Sequence, residues 1–595
     1  MRKGLLVLLL AGINFLNPAF LLNAQNVEAR EETLPNGMKL LMIERHQSPV
    51  ITCGWVARVG SVNEEPGITG ISHLFEHMMF KGTKTIGTSD YEKGKEIQDR
   101  QDQIRDEMEK EYSKLREQLR KGEVRGSIYD PENMTPRLRE LKNRLEELFA
   151  EEKKYIVKDE LDQIYTNEGA SGLNAGTTND QTLYFINLPA NKLELWFWME
   201  SDRLLNPVFR EFYSERDVVR EERRLRVEST PTGLADEAFE AMFWQSAPYS
   251  WPVIGWSSDV ESINRQQAEE YFDTFYSPDN ISAVIVGDFD PDHALELARE
   301  YFGRIPRGKT PPPEMITFEV DQVGEKRFKA EVDTNSRVIL RYHTPPFNHV
   351  DNFPLQIFTD SLEGRTGRLY KALAEEKGLI SGEPRVMLNE LKYGGYFEVS
   401  AEVKEGVAPE AVEAAILEEL EKLKTEPLGD RELQRLKNNL LAMSVKQLQS
   451  NYYLVLQVLF YESLDSWEYI NEAPPKYQEV TADEVMEVAR RYITENNRNV
   501  AYYLRKEGST TEIPPELADL PSELRSQVMQ QAAMISQLTD KEKLEGALAQ
   551  SQQMKSQVPP EIAPAMDYMI RIIQERLENL ATEEGGQDSA APEGE

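Results

Sequence analysis

The chain has one cysteine in 595 residues, so no internal disulfide can staple it. Cys53 sits in the apolar run Val50-Ile-Thr-Cys-Gly-Trp-Val56, where a buried structural thiol is expected. No cysteine lies near residue 24 to carry a lipid. Basic residues are in the minority: 103 acidic side chains against 68 basic ones leave a net charge of −35. That balance argues against nucleic acid or an anionic membrane surface as partner. Long apolar runs are scarce as well. Leu5–Ala11 is one, and no other window has the length a membrane span requires. It follows Met1-Arg2-Lys3 and precedes Leu22-Asn23-Ala24, the format of a secretory signal peptide over residues 1–24. An exported, disulfide-free chain with this leader is expected in the periplasm of a Gram-negative bacterium. Membrane association is not indicated beyond the leader.

Histidine is scarce too, with six in the chain, and two of them are spaced with purpose. In Gly70-Ile-Ser-His-Leu-Phe-Glu-His-Met-Met-Phe80, His73 and His77 are four apart with Glu76 between them. On a helix, positions i and i+4 share a face, so both imidazoles can reach one metal ion. Glu76 borders that site without being forced into the coordination shell. The order H-x-x-E-H is the inverted zinc-peptidase motif.

The rest of the chain reads as an α+β protein of two similar domains, each a mostly antiparallel sheet flanked by helices. Met38–Glu44 and Val50–Val59 are expected strands, followed by a Gly- and Pro-bearing loop and then the histidine helix. Residues 91–166 change character. Ile104, Met108, Tyr112, Leu115 and Leu119 make one helical stripe, and Leu138, Leu141, Leu145, Leu148 and Phe149 a second. Thr135 is the expected N-cap and Pro136 the first helical residue of the second arm. This is an inserted helical hairpin, the pattern of a solvated spacer or docking arm. Leu183–Leu188 and Asn280–Asp288 are further strands, and residues 25–305 form the first domain. Residues 306–315 read as a linker and 316–508 as a second domain repeating the order of the first. In it Arg337–Tyr342 takes the place of Val50–Val59, and Gly364–Ala374 that of the histidine helix, without its histidines. Residues 509–582 are a helical extension and 583–595 an acidic tail expected to be disordered.

A catalytic zinc site generally has three protein ligands and one open position. The charged stretch Glu215-Arg-Asp-Val-Val-Arg-Glu-Glu222 and its continuation offer Glu215, Glu221, Glu222 and Glu228. Composition does not choose among them. These motifs together resemble the pitrilysin/insulysin family of inverzincins, in particular its short two-domain members related to mitochondrial processing peptidase. The resemblance covers about Arg30–Gly508 outside the hairpin. It implies an insulysin-like fold and one Zn²⁺ per chain held by His73, His77 and Glu222, the last residue of the family pattern E-R-x-V-x-x-x-E. It further implies Glu215 as a supporting carboxylate, Glu76 as general base in peptide-bond hydrolysis, and Asn174 and Ala175 beside an edge strand that binds substrate backbone. The implied activity is that of a zinc metallo-endopeptidase acting on peptides or unfolded polypeptides.

One departure stands against these matches. The family's second domain carries R-E-x-x-G-L-x-Y, whose Arg and Tyr orient substrate; here the aligned stretch is Ala374-Glu-Glu-Lys-Gly-Leu-Ile-Ser381. Loss of such donors typically costs about a hundredfold or more in rate. The expectation is therefore a zinc-bearing subunit whose homologous partner supplies the Arg and Tyr in a heterodimer. A homodimer is the weaker form of the same reading, and a non-catalytic scaffold or binding subunit the alternative to it.

Overall fold

The structure is a computed structural model. It describes residues 26–506 and the later segments 514–517, 522–538, 541–555 and 562–587, together with Leu520 and Val558. The leader at 1–24 and residues 588–595 of the acidic tail lie outside the described residues.

Two sheets organise the molecule. The first is six-stranded, in the order β1-β2-β6-β3-β5-β4. Its strands are β1 Arg30–Thr33, β2 Lys39–Glu44, β3 Val50–Ala57, β4 Ser171–Thr177, β5 Thr182–Pro189 and β6 Ile281–Gly287. The second is five-stranded, in the order β7-β11-β8-β10-β9, built from Lys326–Val332, Arg337–Thr344, Arg385–Leu391, Gly394–Glu402 and Arg498–Arg505 as β7 to β11. In each sheet one pair is parallel, β2 with β6 and β7 with β11, and every other pair is antiparallel. Strand for strand, β7-β11-β8-β10-β9 repeats β2-β6-β3-β5-β4, so the duplication expected from element order is present in the hydrogen-bond ladders.

Strand β3 explains why the first sheet needs cover on both sides. Alternate residues of a strand face opposite ways. Ile51, Cys53, Trp55 and Ala57 join the main core, with Leu74 and Phe75 of the histidine helix. Val56 faces the other side, with Leu41, Ile43, Val284 and Val286. That second side is covered by helix Asn451–Leu464 of the other half, through the buried Leu454, Val455, Val458 and Leu459. Burial of such side chains contributes roughly 1.5–3 kcal/mol each, which summed over them approaches the whole stability of an ordinary domain. The exchange is mutual. Helix Gly233–Phe243 of the first half lays Phe239 on the second sheet, against Val332, Ile339, Ala501 and Tyr503. Glu462, on the crossing helix, is buried and accepts from Arg58 at 2.7 Å and Ser282 at 3.1 Å, with Lys39 Nζ at 2.9 Å.

The hairpin is two antiparallel helices, Tyr91–Arg120 and Pro136–Glu152. Ile97, Ile104, Met108, Tyr112 and Leu115 pack against Leu138, Leu141, Leu145 and Leu148. The Thr135 hydroxyl accepts from Leu138 N at 3.1 Å, capping the second arm with Pro136 at its first turn. The chain then returns to the body through helix Glu160–Asn167. In the second half, the helix that follows β8 is Asn352–Leu362; it stands where the histidine helix stands in the first half. The stretch expected there, Gly364–Ala374, instead forms the next short helix, Arg368–Tyr370, and a π-helical turn over Lys371–Glu376. The strap between the halves runs without regular structure up to Glu325, longer than the 306–315 expected from composition. Glu319 fastens it by accepting from the amides of Gln245, Ser246 and Ala247. The C-terminal helices Ser522–Gln537, Lys541–Lys555 and Ala563–Gln587 pack on one another, the last running into the stretch read from composition as a tail. No helix among the described residues is long and apolar enough to cross a membrane.

Gly54 is what lets the crossing helix lie so close. A Cβ there would meet Tyr184 O at 2.7 Å and Leu459 Cδ1 at 2.8 Å. Gly54→Ala is expected to push the helix off the sheet and cost about 1–3 kcal/mol, read as a lower urea midpoint and faster proteolysis within 451–464.

Candidate metal centre

Helix Ile71–Met78 is fixed at both its start and its inner face. Its first turn carries backbone N–H groups without intrahelical acceptors. Glu64 takes two of them, Gly70 N and Ser72 N, each at 2.8 Å. Asp259 holds the preceding loop through Gly67 N at 2.9 Å and the Thr69 hydroxyl at 2.8 Å. Burial pushes the Glu64 carboxyl up to about 8, with the Ser72 and Gly70 bonds working the other way. Gly70, at φ +90°, makes the turn into the helix in the left-handed region. Phe75 anchors the inner face among Phe209, Tyr271, Phe272 and Tyr276, with ring centroids 5.0–5.8 Å away. Glu64, Asp259 and this aromatic nest were not singled out in the sequence: the partners of Asp259 and Phe75 lie far along the chain, and Glu64 reaches Gly70 and Ser72 across a loop with no periodic pattern.

The opposite face presents the motif. The His73 and His77 rings are 4.9 Å apart at 72°. Helix Phe212–Arg223 crosses behind them and brings Glu222 between the two. Its Oε1 lies 3.7 Å from His73 Nε2 and its Oε2 3.4 Å from His77 Nε2. One donor atom from each of these residues falls within 4.8 Å of the others. The set is two imidazoles and a carboxylate, the chemistry of a divalent transition-metal site. Buried His73 has an Nδ1 with no hydrogen-bond partner, a polar atom left over in a protein-only account of the site. The residues present therefore fit a metal.

The electrostatics separate the two histidines. Burial holds His73 down to about 4, with His77 and Arg226 adding to the effect and Glu222 opposing it. His77 suffers the same desolvation, but the hydrogen bonds it donates to Glu215 and Glu222 overcome it and raise it to about 9. A metal binding there must displace that proton. Glu215 accepts from His77 Nδ1 at 3.0 Å and meets Lys81 Nζ at 2.5 Å. Burial works against its carboxylate, yet the His77 and Lys81 contacts hold it below the usual carboxylate range. Lys81, one helical turn past His77, is a member of this chain of contacts that the motif reading passed over. Arg226 pairs with Glu222 at 2.8 Å from an exposed position.

The other residues singled out in the sequence lie around this cluster. Glu76 lines a cavity beside it, together with His77, Phe80 and Lys81. Glu221 points elsewhere, pairing with Arg224, and forms a cleft with Leu225, Ile535, Leu538 and Met569 of the C-terminal helices. Glu228 approaches Arg223 at 3.5 Å. Asn174 and Ala175 are outside the three-donor cluster, on β4, the open edge of the first sheet. A bulge between Ser171 and Asn174 interrupts its ladder to β5. Ala374 packs against the second core, and Ser381 N donates to Glu402 O at 3.1 Å.

The sheet unit is thus duplicated, and a His-x-x-Glu-His helix is present in its first copy alone. The family profile described as insulinase (peptidase family M16) matches residues 39–99, and that described as peptidase M16 inactive domain matches 262–440. Over these residues the chain is similar to the M16 peptidase family. It is similar to zinc protease PqqE of Helicobacter pylori, 26% identical over 439 residues that span 72% of this chain and 83% of that one. Among solved structures it resembles a protease from Helicobacter pylori, with a TM-score of 0.66 at 22% identity over 81% of this chain and all of the other. It also resembles the periplasmic protease PqqL from Escherichia coli, with a TM-score of 0.58 at 15% identity, where it spans 50% of that longer chain.

Glu215→Ala is expected to leave His77 Nδ1 without its acceptor and weaken zinc affinity by about 10–100-fold, measured by competition with a chromophoric chelator. Far-UV circular dichroism should be unchanged.

Proposed function

We propose that the chain is an exported zinc-dependent metallo-endopeptidase acting on peptides or unfolded polypeptides. The observation that carries this reading is the convergence of His73, His77 and Glu222 donor atoms within 4.8 Å, with Glu76 beside them on the wall of a cavity. Zinc held by these residues, one ion per chain, supplies a Lewis acid that polarises a carbonyl and makes water nucleophilic near neutral pH.

The protein's own groups do the rest. Glu215 accepts His77 Nδ1–H, which fixes the tautomer and leaves Nε2 free as a ligand atom. Glu76 takes the proton of the attacking water on its carboxylate and returns it to the departing amine nitrogen. The substrate adds as an extended strand to the open edge of β4 near Asn174 and Ala175, so recognition is through backbone hydrogen bonds and tolerates many sequences. Export to the periplasm is supported by the pattern of residues 1–24 and by the location named for PqqL.

Ala374 and Ser381 stand where the family's Arg and Tyr would be. A homologous subunit supplies that pair across a chamber in a heterodimer, or a second copy of this chain completes a feebler homodimer. The same two residues favour a second reading, a scaffold or binding subunit that no longer cuts.

Glu76→Gln decides between the readings. Wild type and mutant are expected to hold equal zinc by mass spectrometry, while hydrolysis of a quenched peptide library falls by about a thousandfold or more in the mutant. Activity of the purified chain alone would remove the need for a partner. Absence of Glu76-dependent hydrolysis, with or without a homologous subunit, would leave the scaffold reading.

A further inference from the structure

The duplicated sheet unit leaves a second cavity at the place in the second half that corresponds to the metal centre of the first. Helix Asn352–Leu362 follows β8 as the histidine helix follows β3, and β9 is the open edge of its sheet as β4 is of the other. Helix Asp430–Gln447 comes second after β10, as helix Phe212–Arg223 comes second after β5. Between these three elements and the helices Asn451–Leu464 and Tyr469–Glu479 lies a cavity of about 380 Å³, large enough for a small ligand.

No histidine lines it, and among the described residues its donors do not gather into a metal-binding set. Aromatic rings make one side. The Tyr469 ring lies 4.6 Å from that of Phe347 and 4.8 Å from that of Tyr461, and its hydroxyl is 3.5 Å from the Tyr477 hydroxyl. Glu390, on β9, is the one charged residue of the lining. Its Oε1 is buried and has no hydrogen-bond partner among the described residues. Burial pushes its carboxyl up to about 7, with Asn352 working the other way. The amides around it are committed elsewhere. Gln356 Nε2 donates to Asp360 Oδ1 at 2.7 Å, Asn352 Nδ2 to Pro346 O at 2.8 Å, and Gln457 to Gln447. Lys476, on the helix that carries Tyr469 and Tyr477, is paired with Glu472 at 3.1 Å.

A carboxylate without a partner in such a wall is costly, because it has lost water and gained nothing in return. A cation entering the cavity supplies the missing partner, and aromatic faces attract the same kind of group. An alkylammonium head meets both demands, with N–H donors for Glu390 and a positive charge for the rings. Met443, Gln447 and Phe460 are the exposed members of the lining and mark its mouth. The net charge of −35 draws cations toward the molecule from a distance.

We propose that this cavity is a binding site for an alkylammonium group, with Glu390 as counter-ion and Phe347, Tyr461, Tyr469 and Tyr477 as its aromatic wall. The group is carried by a lysine side chain of a peptide or by a free small amine, and the chemistry of recognition is the same for both. The site uses neither the metal donors nor Glu76, so it stands or falls apart from the hydrolase reading. Where the first copy of the sheet unit gathers donors for a metal ion, the second gathers a carboxylate and rings for an organic cation.

The test is calorimetric titration of the full chain with n-butylammonium and with a short unstructured peptide that carries one lysine. The same peptide with norleucine in place of lysine is the neutral control, and the peptide titrations use the Glu76→Gln background so that nothing is cut. Glu390→Gln keeps the shape of the side chain and removes its charge. Met443→Lys, at an exposed position of the mouth, brings in an ammonium of its own and does not threaten folding. Each is expected to weaken binding of the ammonium probes about tenfold or more, with far-UV circular dichroism and zinc content unchanged. Non-specific attraction to 103 acidic side chains would survive the loss of one of them. Preference for the lysine peptide over the norleucine peptide identifies a peptide side chain as the ligand. Binding of n-butylammonium without that preference identifies a free amine. The site is overturned if neither ammonium probe binds the parent protein, or if either variant leaves the binding unchanged.

Discussion

Each sheet in this molecule is covered on one side by a helix from the other half, and the metal-binding side chains depend on that exchange. Helix Asn451–Leu464 fills the second face of the first sheet; helix Gly233–Phe243 does the same for the second. A sheet apolar on both faces cannot stand with one of them in water. The two halves therefore form one folding unit despite their separate cores. The exchange also reaches the site. Helix Gly233–Phe243 follows the helix that carries Glu222, and Arg223 ties them through Glu237 at 2.7 Å and Gly255 O at 2.7 Å.

Within that frame, the histidine helix is held by groups that lie outside it. Glu64 and Asp259 satisfy the amides at its start, Phe75 pins its inner face, and Glu215 with Lys81 orients His77. Nothing in the His-x-x-Glu-His spacing itself would place two imidazoles and a carboxylate within 4.8 Å of each other; that takes a second helix crossing at a set height. The helix is short, Ile71–Met78, and a helix of this length has little stability of its own. Its geometry is borrowed from the packing around it.

Much of the architecture was legible in local patterns. The strand runs Met38–Glu44 and Val50–Val59, the histidine helix, the two stripes of the hairpin and the Thr135–Pro136 cap all emerge from residue periodicity and capping chemistry, and the structure has each of them. The duplicated order was visible in the elements but misplaced at one step. Gly364–Ala374 looked like the counterpart of the histidine helix, whereas Asn352–Leu362 holds that position. Its residues, Asn-Phe-Pro-Leu-Gln-Ile-Phe-Thr-Asp-Ser-Leu, are buried nearly all round, the polar Asn352, Thr359 and Ser361 included, so residue type alone does not mark how deeply this helix sits. Lys81, Glu64 and the hairpin root went unread for another reason. Their roles come from partners such as Gly70 and Ser72 for Glu64 and Glu215 for Lys81, or from a cavity, and neither leaves a periodic trace.

The sequence by itself determined the elements and the reactive set: two histidines on one helical face with a glutamate between them, a charged helix rich in candidate carboxylates, and an inserted pair of amphipathic arms. These follow from short-range rules, since side chains three and four apart on a helix are neighbours whatever the fold. Composition left the third carboxylate open, and the family pattern ending at Glu222 singled it out; tertiary structure alone decided which helices cover which sheet and that Ile156, Val157 and Leu161 line the cavity beside Glu76. Those are long-range choices. They are set by which apolar faces must leave water together, and that can be known only once the whole chain is packed.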